Sequence, residues 1–306
     1  MALTKPAVSR RPRTTERKVQ PQDRGYQILI AIFLFVVLMA IIIPFWRVIV
    51  TSLTPLDIYT QRGVPYFLSP SEWTGEAYKQ LMTHPQFGKA LKNSIIITLL
   101  GTSTSLLLTI PLAYGLSISS LPGRRVIIVL ILFTFLFNPG LVPVYLLVTK
   151  LHLTNTFFSV TLPPAVSVYN TLVMMSFFEG LPDELKEAAR IDGASELQVL
   201  FRVVLPLSKP IILTIGLFYA VFYWNEFFTP ILYLTDNDLI PLPVLLRNIL
   251  ISASFNEFVE YNAFSSTFIE ALKSAAVLIT MLPMLIIYPW IQRYFTKGTL
   301  VGGVKE

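Results

Sequence analysis

Cysteine is absent from the 306 residues, and histidine occurs only at His84 and His152. A disulfide framework and a thiolate metal site are thereby excluded, and two isolated imidazoles cannot hold a metal by themselves. Charge is scarce as well: 14% of residues are Asp, Glu, Lys or Arg, against roughly 25% in ordinary soluble domains. A soluble fold is therefore not expected. Nowhere does Gly-x-x-x-x-Gly-Lys precede Ser or Thr, so no P-loop is available to cradle nucleotide phosphates. The chain also lacks an internal repeat, a low-complexity linker and a second hydrophilic domain. Its net charge of +6 is spread out, with the densest basic group in the first 25 positions. That distribution suits membrane flanks and does not point to nucleic acid.

What the chain has in abundance is apolar sequence, 54% of its residues, for a mean hydropathy of +0.64. A helix needs about 20 apolar residues to cross a ~30 Å hydrocarbon core. Six runs approach that length: Ile28 to Val50, Ser94 to Ile118, Val126 to Val148, Phe157 to Phe178, Ile211 to Leu234 and Ser274 to Arg293. The first follows a basic segment, as a secretory signal would, but it is too long and no small-x-small cleavage pattern follows it. It reads as a retained transmembrane helix. Pro44, Pro111, Pro139, Pro143 and Pro283 predict kinks, which membrane helices tolerate where neighbours re-satisfy the freed backbone groups.

Lysine and arginine are enriched in cytoplasmic loops. With the N-terminus inside, the cytoplasmic segments carry sixteen of these residues and the opposite segments seven. Six spans then leave both termini in the cytoplasm. The expected fold is an all-α integral membrane protein with a basic cytoplasmic tail over 1–27, a six-span domain over 28–295 and a cytoplasmic C-terminal tail over 296–306. Long outward loops are expected at 51–93 and 235–273, and a long cytoplasmic loop at 179–210.

The local physics of that cytoplasmic loop predicts two short helices around a turn. Pro182 suits a first helical position, Asp183 and Glu184 suit the first turn, and Leu185, Ala188, Ala189 and Ile191 share a face. Asp192-Gly193 supplies the turn, since glycine adopts positive φ without steric cost. Ser195 with Gln198 forms a capping-box pattern, followed by Leu197, Leu200, Phe201 and Val204 on one apolar face. Pro206 and Pro210 close the segment. Periodicity alone is equally compatible with a connector lying in the membrane interface.

The residues themselves carry more. Glu187-Ala188-Ala189, then Asp192-Gly193-Ala194, Phe201, Leu205-Pro206 and Pro210 resemble the EAA loop of ABC-importer permeases, in the fuller form of the second permease of maltose-type carbohydrate importers. Trp224-Asn225-Glu226-Phe227 and the ending with Gly302-Gly303 are similar to the same family. The stretch from Asn138 to Tyr145 is most like oligosaccharide systems of the alginate type. The resemblance implies a coupling helix that docks into a cleft of a separate ATPase subunit. Glu187, Ala188, Ala189, Asp192, Gly193, Ala194, Phe201 and Pro206 would form the coupling set, Gly193 allowing close approach and Glu187 giving polar anchorage. It further implies a second permease subunit, two ATPase copies and an extracytoplasmic solute-binding protein as partners. No enzyme activity, cofactor or metal would belong to this chain, ATP and Mg being held by the ATPases. The expected place is the bacterial inner membrane, and the function the resemblance implies is ATP-driven import of a carbohydrate, an oligosaccharide of the alginate-like kind. A non-sugar ABC solute and an ion-driven secondary transporter are the alternatives.

For the path through the membrane the candidates are Glu226, an ionisable group within a span, and its neighbours Tyr219, Tyr223, Trp224 and Asn225. Aromatic rings and amides suit sugars, although interfacial aromatic belts have the same composition. Asn138, before Pro139, is a candidate for an unwound segment facing a cavity, or else for a packing kink. The outward segments carry seven basic and eight acidic residues, a balance that does not favour an anionic substrate.

Overall fold

The computed structural model describes residues 21–257 and 267–298, and every regular element among them is helical. Residues 1–20 of the basic tail and the Gly302-Gly303 ending lie outside the described residues, while 21–27, expected in the tail, already belong to the first helix. Two compact units divide the chain, residues 1–48 and 49–306. The first is described over 21–48 as the leading part of α1 (Pro21–Leu53). Leu29, Phe33, Phe35 and Ile41 on different sides of it are all exposed. A helix that is apolar all round and uncovered within its unit suits lipid as its surroundings.

The second unit is built around α2 (Phe87–Ser117), which packs against α5 (Val168–Glu179) and α7 (Lys209–Asn225). Ala90, Ser94, Ile97, Gly101, Ser105, Thr109, Ala113 and Leu116 recur every three or four residues along α2 and are buried. A stripe of small side chains lets membrane helices approach closely. A Cβ at Gly101 would come within 2.6 Å of the Tyr223 ring carbons, so only glycine admits that ring. The hydroxyls then bond across the helices: Tyr223 with Ser105 at 2.9 Å and Tyr219 with Thr109 at 2.8 Å.

Three of the six expected spans correspond to unbroken helices: α1, α2 and the part of α9 (Ile269–Gly298) up to Ile287. The third run divides into α3 (Arg124–Leu136) and α4 (Leu141–Lys150), which meet at 112°. Asn138, Pro139 and Gly140 make the corner. Asn138 Oδ1 accepts the Gly140 N–H at 2.9 Å and Gly140 takes φ +84°, so the expected kink is a full turn of direction. The fifth run is continuous only from Lys209 to Asn225, and the preceding stretch Glu196–Leu207 meets it at 85°. Counting each bent pair as one span gives up to five candidates by length and composition.

The fourth run, Phe157 to Phe178, does not continue as one helix. A single turn, Phe158–Thr161, is followed by an irregular stretch with Pro163 and Pro164, and α5 starts afresh at Val168 behind the cap Ser167. Consecutive prolines remove two backbone donors and force their predecessors out of the helical region. The outward loop 235–273 is also not a simple loop. It holds α8 (Leu242–Glu257), whose Leu242, Val244, Leu245, Leu246 and Ile249 are buried against α2 and α9. Ser94 Oγ accepts the Leu242 N–H at 2.8 Å, and Asn93 Nδ2 donates to the carbonyls of Asp238 and Ile240. These bonds from α2 fix where α8 begins.

Candidate functional site: the 179–210 loop and the groove of α7, α8 and α9

The loop begins where α5 ends at Glu179 and forms α6 (Asp183–Ile191), with Pro182 one position earlier than expected, at the cap. Gly193 takes φ +81°, its N–H donates to Arg190 O at 3.0 Å, and the Ala194 N–H donates to Ala189 O at 3.0 Å. That pair of bonds is a Schellman ending, which requires a left-handed residue. Ser195 then starts the next helix with the predicted capping box: its N–H donates to Gln198 Oε1 at 2.8 Å, and its Oγ accepts the Gln198 N–H. After Glu196–Val199 the chain winds more loosely as a π-helical turn over Leu200–Val204.

The π turn corrects the predicted apolar face. Val199, Leu200 and Val204 are buried with α2 and α7, whereas Leu197 and Phe201 point away from the bundle, 66% and 63% exposed. In α6, Ala189 packs inward while Leu185 and Ile191 stay exposed, Ile191 by 86%. Wider winding changes the angle between successive residues, so a single 3.6-residue stripe cannot describe this segment. The result is four exposed apolar side chains on a loop whose Ala189, Val199, Leu200 and Val204 pack inward.

Polar side chains supply the anchorage. Tyr114 on α2 donates to Glu196 Oε2 at 2.6 Å, and Arg190 donates through Nε to Glu196 Oε1 at 2.8 Å. Glu196 thereby holds both loop helices to the end of α2. Hydrogen bonding from Arg190, then from Tyr114, holds its carboxyl below the ordinary carboxylate range. Lys186 is buried and donates to Phe178 O and Asp183 Oδ1, each at 3.0 Å. Arg124 donates to Leu116 O at 2.6 Å and pairs with Glu179. Glu187, Ala188, Asp192, Gly193 and Pro206 lie on the exposed side, and Ala194 is half-buried.

The residues expected along a membrane path separate into two groups. Tyr219, Tyr223 and Trp224 are at most 4% exposed. The Tyr219 hydroxyl also accepts the Ser167 N–H, Tyr223 donates to Thr161 O, and Trp224 Nε1 donates to Thr280 O at 2.8 Å. These three rivet α7 to its neighbours. Glu226 accepts the N–H groups of Phe228 and Thr229 and so caps the short helix Phe228–Tyr233. Asn138 is used within its own corner. Asn225 lines a groove of about 820 Å³ shared by α7, α8 and α9, and with it stand Phe227, Arg247, Lys273 and Thr280. Sequence reasoning counted Arg247 and Lys273 only as loop charges, because the cavity that joins them depends on α8.

Residues 90–301 match the family described as binding-protein-dependent transport system inner membrane component. The polygalacturonan/rhamnogalacturonan transport system permease protein YtcP of Bacillus subtilis is 36% identical, the alignment covering 93% of this chain and 99% of that one. The arabinooligosaccharides transport system permease protein AraQ of Halalkalibacterium halodurans is 30% identical over 89% and 94% of the two chains. Among solved structures, a chain of a bacterial ABC transporter involved in the import of the acidic polysaccharide alginate superposes with a TM-score of 0.82 at 31% identity, covering 90% of this chain and 98% of its own. The family match extends across the bundle, the anchored loop and the α7–α9 groove, and the chain belongs to the binding-protein-dependent transport system inner membrane components.

Proposed function

We propose that this chain is one of two permease subunits of an ATP-driven importer of oligosaccharides in the bacterial cytoplasmic membrane. It would cross the membrane six times with both termini in the cytoplasm, the topology that the distribution of lysine and arginine favours. The fourth crossing would then be made by the broken Phe157–Phe178 segment, which is viable where protein covers the irregular backbone. Two ATPase subunits would hold ATP and Mg, since this chain carries no P-loop, and a solute-binding protein would deliver the sugar from outside.

The observation that carries the reading is the form of the 179–210 loop. Leu185, Ile191, Leu197 and Phe201 are exposed, while Glu196 and Lys186 tie the loop to α2 and α5. Apolar side chains held on a stiff mount suit a partner protein's cleft, because little ordering entropy is lost on docking. Movement of the ATPases would pass through the mount to the ends of α2 and α5 and re-orient the bundle between inward and outward access. Gly193→Asp tests this in the reconstituted complex. The expected result is normal assembly and continued ATP hydrolysis with solute uptake lost; wild-type uptake would refute the coupling role.

A further inference from the structure

We infer that Arg247 and Lys273 form a carboxylate-binding subsite in the groove of α7, α8 and α9, and that the imported oligosaccharide is acidic. The inference rests on the reading of this chain as an oligosaccharide permease and adds the substrate's charge. Cations are expensive next to hydrocarbon and are normally paired there. Elsewhere on the outward side Arg62 is paired with Glu72 at 3.1 Å and Lys89 with Asp238 at 2.8 Å. Among the described residues neither Arg247 nor Lys273 has such a carboxylate, and no acidic residue stands among those lining their cavity. Two cations lining one apolar-walled space attract an anion jointly.

The rest of the cavity suits a sugar. Asn225 Nδ2 is engaged with Val221 O at 2.8 Å, which leaves its Oδ1 to accept a hydroxyl proton. Thr280 donates its own proton to its helix at Ala276 O and Val277 O, so its Oγ1 is likewise left as an acceptor. Phe227 provides an exposed ring for the apolar face of a pyranose. About 820 Å³ lies within the ~300–1,000 Å³ common for small-ligand sites. Asn225 and Thr280 also line an adjoining cavity of about 330 Å³ that runs along α7 and α9 past Leu217, Val221 and Met284. The two cations thus stand at the wide end of a continuous groove. Arginine adds a planar fork that matches a carboxylate in bidentate fashion. Of the acidic residues expected outside, Glu72 and Asp238 are engaged in pairs away from this groove.

The test is uptake by the full complex in vesicles, driven by its binding protein at saturating sugar, with trigalacturonate and its methyl ester as probes. In the wild type the acid is expected to be taken up in preference to the ester. Arg247→Gln and Lys273→Gln should each lower uptake of the acid about tenfold, the size of one lost charge-assisted bond, with Arg247→Lys and Lys273→Arg largely restoring it. The binding protein is the same throughout, so the loss belongs to the permease. Unchanged acid uptake in both Gln variants would overturn the inference while leaving the oligosaccharide reading intact. Failure of the wild type to take up or hydrolyse ATP in response to any oligosaccharide, neutral or acidic, would overturn that reading instead. A defect that vanishes in vesicles free of anionic lipid would assign the pair to lipid headgroups and also overturn the inference.

Discussion

The 179–210 loop and the α7–α9 groove differ in where their ion pairs lie. At the 179–210 loop the ion pairs are Arg190 with Glu196, Lys186 with Asp183, and Arg124 of α3 with Glu179. Beside these pairs Leu185, Ile191, Leu197 and Phe201 are exposed. In the α7–α9 groove the walls are apolar and the open groups are the cations Arg247 and Lys273. On the proposed function the loop is the mechanical surface and the groove the selective one.

The comparison can be broken at either end. The largest effect is expected from Ile191→Asp combined with Phe201→Asp, which puts charge among the exposed apolar side chains without touching the anchor. The permease should be inserted in normal amounts while its affinity for the ATPase falls by about 2–4 kcal/mol, the range of interface hot spots, read by co-purification at graded ATPase concentration. Retained binding would remove the mechanical role from these residues. Next in size, Gly101→Ala pushes a methyl group into the Tyr223 ring and should cost about 1–3 kcal/mol of stability, as overpacking does. Thermal unfolding in detergent measures it, and Gly101→Ala with Tyr223→Leu should recover part of the loss.

Tyr114→Phe removes one bond to Glu196 and should loosen the anchor by about 1 kcal/mol, seen as faster amide exchange over residues 194–199. The same exchange reports pH. The Glu196 carboxyl is held below its ordinary range, so its stabilising contribution is complete above the unfolded value and fades as pH falls through the lower folded one. Glu196→Gln should abolish that acid-side dependence. Smallest is the exposed Lys89–Asp238 pair, whose coupling in a double-mutant cycle should lie within ~0–1 kcal/mol and fall with salt. A value well above this would mean that charge pairing outside the groove is more than incidental.

Local features of the chain were legible in its sequence because their causes are local. The glycine turn at Gly193 and the Ser195–Gln198 box depend on residues within four positions, and both form as read. The bends at Asn138–Gly140 and around Ser208 were visible as proline sites, but their angles depend on what each half packs against. The helix α8 escaped notice because its apolar stretch is too short to suggest a span, and it is held by Ser94 and Asn93 from far along the chain. The tyrosines at 219 and 223 looked like sugar platforms by composition. Their partners Thr109 and Ser105 lie on another helix, which no reading of a single segment could supply. For the same reason Arg247 and Lys273 were countable but could not be seen to share a cavity.

The Gly101–Tyr223 contact has a consequence for descent. Neither position can drift alone: a side chain at 101 strikes the ring, and loss of the ring strands the Ser105 hydroxyl and empties the space that glycine leaves. The two residues form one heritable unit, and permeases diverging from this one should be found with both or with neither.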